Sequence, residues 1–132
     1  MTHKVVIHSE LQAARRVAQD ILQHVEAHGY AADVCFAIRL ALEEALINAV
    51  KHGNCCDRGK KITVCADVDG ERTRITVADE GAGFDPAKVP DPTVDENLEK
   101  PGGRGIMLIR AYMDEVAHSP RGNEIHMVKR RG

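Results

Sequence analysis

Aromatic side chains are almost absent from this 132-residue chain, which has two Tyr, two Phe and no Trp, 3% in all. Its core must therefore be aliphatic, filled by the Val, Ile, Leu and Ala that make up most of its 43% apolar content. No apolar run approaches the ~20 residues of a membrane-spanning helix. No secretory leader stands ahead of the first strand, so neither a membrane partner nor export is expected. A positive excess is missing too: 18 Lys and Arg stand against 20 Asp and Glu, for a net charge of −2. That balance argues against a nucleic-acid partner, whose phosphates call for a basic patch. Lys129-Arg130-Arg131 is basic but short, and reads as a solvated tail. CxxC pairs are lacking. Cys35 and Cys65 fall in apolar-periodic segments and read as small hydrophobes, while Cys55 and Cys56 are adjacent. The set Cys55, Cys56, Cys65 and His52 matches no zinc-binding spacing. Free thiols in a reducing cytoplasm are the expectation.

The length suits a single domain spanning residues 1–132. Val5-Val6-Ile7 reads as a first strand. Ser9 and Gln12 have the form of a capping box opening a helix, with Leu11, Ala14, Val17, Ile21 and Val25 along its apolar stripe. Gly29 sits where a C-cap glycine belongs. Asp33 is placed to cap a second helix ending near His52, before Gly53. The apolar residues of that helix occupy more than one side, as expected of a helix packed on both a sheet and a neighbouring helix. Ile62, Val64, Ala66 and Val68 alternate with polar residues, as in a half-buried strand. Asp69-Gly70 signals a hairpin. The return strand carries Thr73, Ile75, Val77 and Asp79 on one face. From Glu80 to Arg104 periodicity collapses among scattered prolines, which marks a functional loop, a lid spanning about 84–104 with glycines at both ends. A third helix is expected from Ile106 to about Met113, and then a closing hairpin from Glu115-Val116-Ala117 to residues 124–128.

Three clusters carry chemistry. Glu44, Asn48 and His52 recur at i, i+4, i+8 along one helix stripe. Beside them Ala41, Ala45 and Ala49 are expected to leave room for an approaching group. A carboxylate and a carboxamide oxygen one turn apart suit a hard cation such as Mg2+. Asp79 is the last inward position of a core strand, where a carboxylate is costly unless partnered. It is followed by Gly81 and Gly83, which permit close approach of the backbone. Gly102-Gly103-Arg104-Gly105 precedes a helix, whose free N–H groups favour an anion. Neither a Walker A loop nor a dinucleotide-binding fingerprint is present.

In that order and spacing the three clusters resemble the N, G1 and G2 boxes of the GHKL, or Bergerat-fold, ATPase superfamily. Within it the chain looks most like the RsbW-like anti-sigma-factor serine/threonine kinases. Glu43 to Gly53 and Gly103 to Ile109 carry most of the likeness. The resemblance implies an α+β fold, a two-layer α/β sandwich with helices on one face of a mixed, mostly antiparallel sheet and ATP held between helices and lid. It implies Glu44 as the general base, Asn48 as the Mg2+ ligand and Asp79 as the reader of the adenine amine. Gly81 and Gly83 would shape the adenine pocket. Gly103, Arg104 and Gly105 would face the phosphates, with His52 and Ile106 completing the nucleotide-contacting set. It further implies a sigma factor and a STAS-type anti-anti-sigma protein as partners, phosphorylation of the latter, and a homodimer. An ATP-bound partner-switching module without phosphotransfer, or a detached histidine-kinase catalytic domain, would share the same site. Two positions depart from the family pattern. Asn123 follows the hairpin glycine where many relatives carry Thr, and Pro101 stands where some carry Arg.

Overall fold

The computed structural model describes residues 2–53, 59–81, 103–120 and 122–132. In chain order the elements are β1 (Thr2–His8), α1 (Leu11–Ala27), α2 (Ala32–Asn48) running into one π-helical turn (Ala49–Gly53), β2 (Lys61–Val68), β3 (Arg72–Asp79), α3 (Gly103–Tyr112), β4 (Glu115–His118) and β5 (Glu124–Arg130). The strands form one five-stranded sheet in the order β1-β2-β3-β5-β4. Every pairing is antiparallel, so the parallel component expected of a mixed sheet does not occur among the described strands. The fold is α+β, a two-layer sandwich.

Strand alternation sets which face of the sheet is covered. Ile62, Val64, Ala66 and Val68 of β2 are buried, as are Thr73, Ile75 and Val77 of β3 and Ile125 and Met127 of β5. The intervening residues, among them Thr63, Arg74 and Thr76, point to the opposite face, which the described elements leave uncovered. Against the inner face α1 lays Val17, Ile21 and Val25, and α2 lays Ile38, Leu42 and Leu46. Helix α2 touches α1, α3 and the sheet, which is why its apolar residues run around most of its circumference. Ala41, Ala45 and Ala49 are buried in this packing, so the small stripe serves close helix packing and does not form an open channel.

Several element ends differ from their sequence expectation. Ser9 does not cap α1. The residue before the helix is Glu10, in an extended conformation with no side-chain cap bond. Ser9 instead donates its backbone N–H to Lys60 O at 3.1 Å, tying the strand exit to the start of β2, and its buried hydroxyl has no hydrogen-bond partner among the described residues. Asp33 lies inside the first turn of α2, where its carboxylate accepts the Val34 N–H at 3.0 Å and favours the positive end of the helix dipole. Gly29 does follow α1 in the left-handed region, at φ +79. In the β2–β3 hairpin Asp69 N–H donates to Arg72 O at 3.1 Å, which makes Gly70 and Glu71 the two loop residues. Asp69 Oδ1 accepts the N–H groups of Glu71 and Arg72 at 2.7 and 2.8 Å. These bonds hold the Asp69 carboxyl below the usual carboxylate range. Helix α3 begins at Gly103, not Ile106, because glycine in a first helical turn costs little when its N–H groups have no helical partner to lose.

Candidate functional site

Three polar elements meet at one end of the sheet and the helices beside it. Strand β3 ends there at Asp79, paired with Ile62 near the start of β2. The tether from Ser9 to Lys60 brings the start of α1 to the same end. Helices α1 and α2 pack antiparallel, so the C-terminal turns of α2, with Glu44 and Asn48, lie there too.

Glu44 and Asn48 are both half-buried, one helical turn apart. The first turn of α3 crosses directly over them. A Cβ added at Gly105 would sit 2.9 Å from Asn48 Nδ2, 3.0 Å from Glu44 Oε2 and 3.3 Å from Asn48 Oδ1. Only a residue without a side chain lets the α3 backbone approach that closely. The juxtaposition brings a carboxylate, a carboxamide and the N-terminal turn of a helix to one spot. The first N–H groups of α3 lack intrahelical acceptors, and the helix dipole adds partial positive charge there. Such a place suits an anion bridged by a hard cation to side-chain oxygens. Gly103 lies in the same first turn of α3. Ile106 is buried and anchors that turn in the sandwich.

Asp79 is half-buried at the end of the inner face of β3. Its Oδ1 accepts the Gly81 N–H at 2.8 Å, and Gly81 itself is buried. Burial pushes the carboxyl pKa above its ordinary value, with the Gly81 N–H and the positive charge of Lys60 pulling the other way. Asp79 N–H donates to Asn123 O at 2.9 Å, and Asp79 O accepts a long bond from Asn123 Nδ2 at 3.4 Å. Asn123 Oδ1 in turn accepts from Ser119 Oγ at 3.2 Å. The β4–β5 turn is thereby fastened to the end of β3. A polar residue following a turn glycine is the sequence signal for this clamp, but nothing local says which strand end it grips.

His52 falls on the π turn that interrupts the helical stripe, and its side chain lies outside the described residues. The side chain of Arg104, and Gly83, Pro101, Cys55, Cys56 and residues 84–100 of the expected lid, lie outside them as well. Among the described residues no group of three or more His, Cys, Asp or Glu is placed to hold a metal ion. No helix among them is long and apolar enough to cross a membrane. The open crease between the outer faces of α1 and α2, with Leu11, Leu22, Phe36 and Lys51 in its walls, includes none of the site residues named above.

Comparison with known proteins bears on the family and the fold. The histidine kinase-like ATPase domain family matches residues 7–129. The serine-protein kinase RsbW of Bacillus licheniformis is 35% identical over 96 residues, 67% of this chain and 59% of the relative. The chain thus spans less than two thirds of that relative's length. The anti-sigma F factor of Clostridium perfringens is 31% identical over 99 residues, 70% of each chain. A crystal structure of the RsbU and RsbW domains of a Mycobacterium tuberculosis protein superposes with a TM-score of 0.67 at 19% identity, covering 99% of this chain and 32% of that one, which is a likeness of fold.

Proposed function

We propose, from the premise that the chain belongs to the histidine kinase-like ATPase domain family, that it is a single ATP-binding domain acting as an anti-sigma-factor serine/threonine kinase. The observation that carries this reading is the close approach of Gly105 to Glu44 and Asn48. The carboxylate, the carboxamide oxygen and the helix start that this approach gathers at one spot suit a nucleotide phosphate with its Mg2+. The half-buried Asp79, at the other end of the site, fits the exocyclic amine of adenine.

In this reading Mg-ATP supplies the transferable phosphoryl group and the charge that the protein must stabilise. Asn48 presents its carboxamide oxygen to the cation. Gly103 and Gly105 bring backbone N–H groups to the phosphate side, with Arg104 between them. Asp79 accepts the adenine amine, while Gly81 and Gly83 let the backbone lie against the ring. His52 and Ile106 border the nucleotide. Glu44 takes the proton of an attacking hydroxyl. Phosphoryl transfer asks for positioning and charge stabilisation more than for covalent chemistry, so this sparse set is sufficient. Residues about 84–104 act as the lid. The acceptor is a Ser or Thr of a STAS-type anti-anti-sigma protein. The unphosphorylated acceptor and a sigma factor compete for the domain, which works as a cytoplasmic homodimer.

The test is direct. Calorimetry should show Mg-ATP binding at sub-millimolar concentration, and its absence at millimolar ATP ends the proposal. Label from γ-labelled ATP should pass to a co-purified STAS protein and be acid-stable, as a Ser or Thr ester is. Glu44→Gln should abolish transfer while keeping ATP binding. An acid-labile label would indicate transfer to His. Binding without any transfer would leave a partner-switching module.

A further inference from the structure

We infer that Asn123 is a positioning residue for base recognition: its side chain completes the strand ladder at Asp79 and fixes the backbone that carries this carboxylate at the place where it accepts the adenine amine. The inference rests on the nucleotide reading of the site.

An antiparallel hydrogen-bonded pair exchanges two main-chain bonds. Beyond the last strand pair, Ala78 with Glu124, the next pair is Asp79 with Asn123. The first bond of that pair is ordinary, from Asp79 N–H to Asn123 O at 2.9 Å. The reciprocal bond to Asp79 O comes from the Asn123 side chain, Nδ2, at 3.4 Å. The turn explains the exchange. Gly122 stands at φ +75 and donates its N–H to Ser119 O at 2.9 Å, so the chain is already curling away from β3 where a second main-chain donor is needed. The carboxamide reaches back across that gap. Its orientation is fixed from the other side by Ser119 Oγ, 3.2 Å from Oδ1, which leaves the NH₂ end to face Asp79. Asp79 is thus held at both its backbone N–H and its backbone C=O by one residue. One carboxylate oxygen is held by Gly81, and the other has no partner among the described residues.

That restraint bears on selectivity. A fixed carboxylate presents an acceptor, which an amino-purine satisfies and a keto-purine at the same position opposes. A carboxylate whose backbone can shift carries its oxygens off the amine and loses the distinction. Asn123 therefore acts on base discrimination through Asp79, and on the phosphate end not at all.

The experiment compares ATP and GTP affinities by competition calorimetry for wild type, Asn123→Asp, Asn123→Ser, Asn123→Ala, Asp79→Asn and the doubles with Asp79→Asn. Asn123→Asp keeps the size of the side chain while removing the donor, and Asn123→Ser withdraws the donor without adding a charge, so the lost bond is told apart from repulsion of the Asp79 carboxylate and the inference stays testable if the Ala variant is unstable. We expect Asn123→Asp, Asn123→Ser and Asn123→Ala to weaken ATP by about three- to tenfold, the factor of one lost hydrogen bond. The ATP-to-GTP preference should fall by a similar factor, and Ser119→Ala should give a smaller change of the same sign. In the Asp79→Asn background the Asn123 substitutions should change nothing further, which is the coupling that a double-mutant cycle reads. An unchanged preference, an equal loss for both nucleotides, or an undiminished effect in the Asp79→Asn background overturns the inference. A wild-type protein that binds no ATP overturns the nucleotide reading instead, so the two failures are distinguishable.

Discussion

Gly105→Ala separates the demands of the site from those of the fold. The added methyl would stand 2.9 Å from Asn48 Nδ2 and 3.0 Å from Glu44 Oε2, some 0.4 to 0.5 Å inside the 3.4 Å at which ordinary contact begins. Those atoms are the far ends of side chains, so the overlap is relieved by swinging them aside and not by parting the helices. Overpacking of this kind costs about 1–3 kcal/mol where nothing yields, and less where side-chain tips can move. Alanine also returns up to ~1 kcal/mol of helix propensity within α3. The two effects nearly cancel, and stability should stay within about 1 kcal/mol of wild type, a few degrees in melting temperature.

Function should not be spared. Asn48 and Glu44 would be displaced by roughly half an ångström or more, and a misplacement of about 1 Å can cost on the order of 100-fold in rate. We expect Mg-ATP affinity and phosphotransfer to fall by about 10- to 100-fold, with the melting curve almost unmoved. Isothermal calorimetry and transfer of labelled phosphate measure the first, and differential scanning calorimetry the second. Wild-type affinity and transfer in Gly105→Ala would refute the reasoning, as would a loss of function that merely tracks unfolding.

Other perturbations follow from single observations. Asp79 has a raised pKa in the fold, so its contribution to stability is present below the ordinary carboxylate value and is lost as pH rises through the higher folded value. Nucleotide affinity runs oppositely, because the amine needs the ionised acceptor: it should fall on acidification from neutral pH, and Asp79→Asn, weaker by about 1–3 kcal/mol, should flatten that dependence in calorimetric titrations. Thr73 is fully buried, and its hydroxyl has no hydrogen-bond partner among the described residues, so Thr73→Val should stabilise the fold by about 1 kcal/mol, seen as a higher urea midpoint at constant slope. Gly29→Ala places a side chain at φ +79 and should destabilise by about 1–2 kcal/mol in the same urea assay, without altering ATP affinity.

What the sequence reveals depends on how far each residue's partner lies along the chain. The alternation in β2 and β3 is legible because one face of the sheet is buried and the other is not, a contrast written into every second residue. The pairing of Glu44 with Asn48 is legible because helix geometry alone puts i and i+4 on one stripe. Ser9 is misleading, since its sequence matches a cap while its backbone is committed to Lys60, 51 positions away. The start of α3 is obscured because glycines read as loop, although here Gly105 is helical in order to let α3 come close to α2. Asn123 is illegible because its grip on Asp79 spans 44 positions. Alone, it looks like a departure from a family pattern.

The polar groups of the site ride on two separate supports, and this division accounts for how the chemistry can be dissected. Asp79 belongs to the sheet, held by β5 through Asn123 and by the Gly81 N–H. Glu44 and Asn48 belong to α2, a helix wedged between α1, α3 and the sheet and therefore unable to shift without opening the core. The first turn of α3 is tied to the second support by the missing side chain of Gly105 and by the buried Ile106. A ligand that reaches from one support to the other gains its base affinity at the sheet end and its phosphate geometry at the helix pair. Changes at Asp79 or Asn123 should therefore act on which nucleotide is held, a change at Gly105 on how firmly its phosphates are seated, and a change at Glu44 on the transfer step. Coupling between the two groups of variants should be close to additive, because the supports share no side-chain hydrogen bond among the described residues.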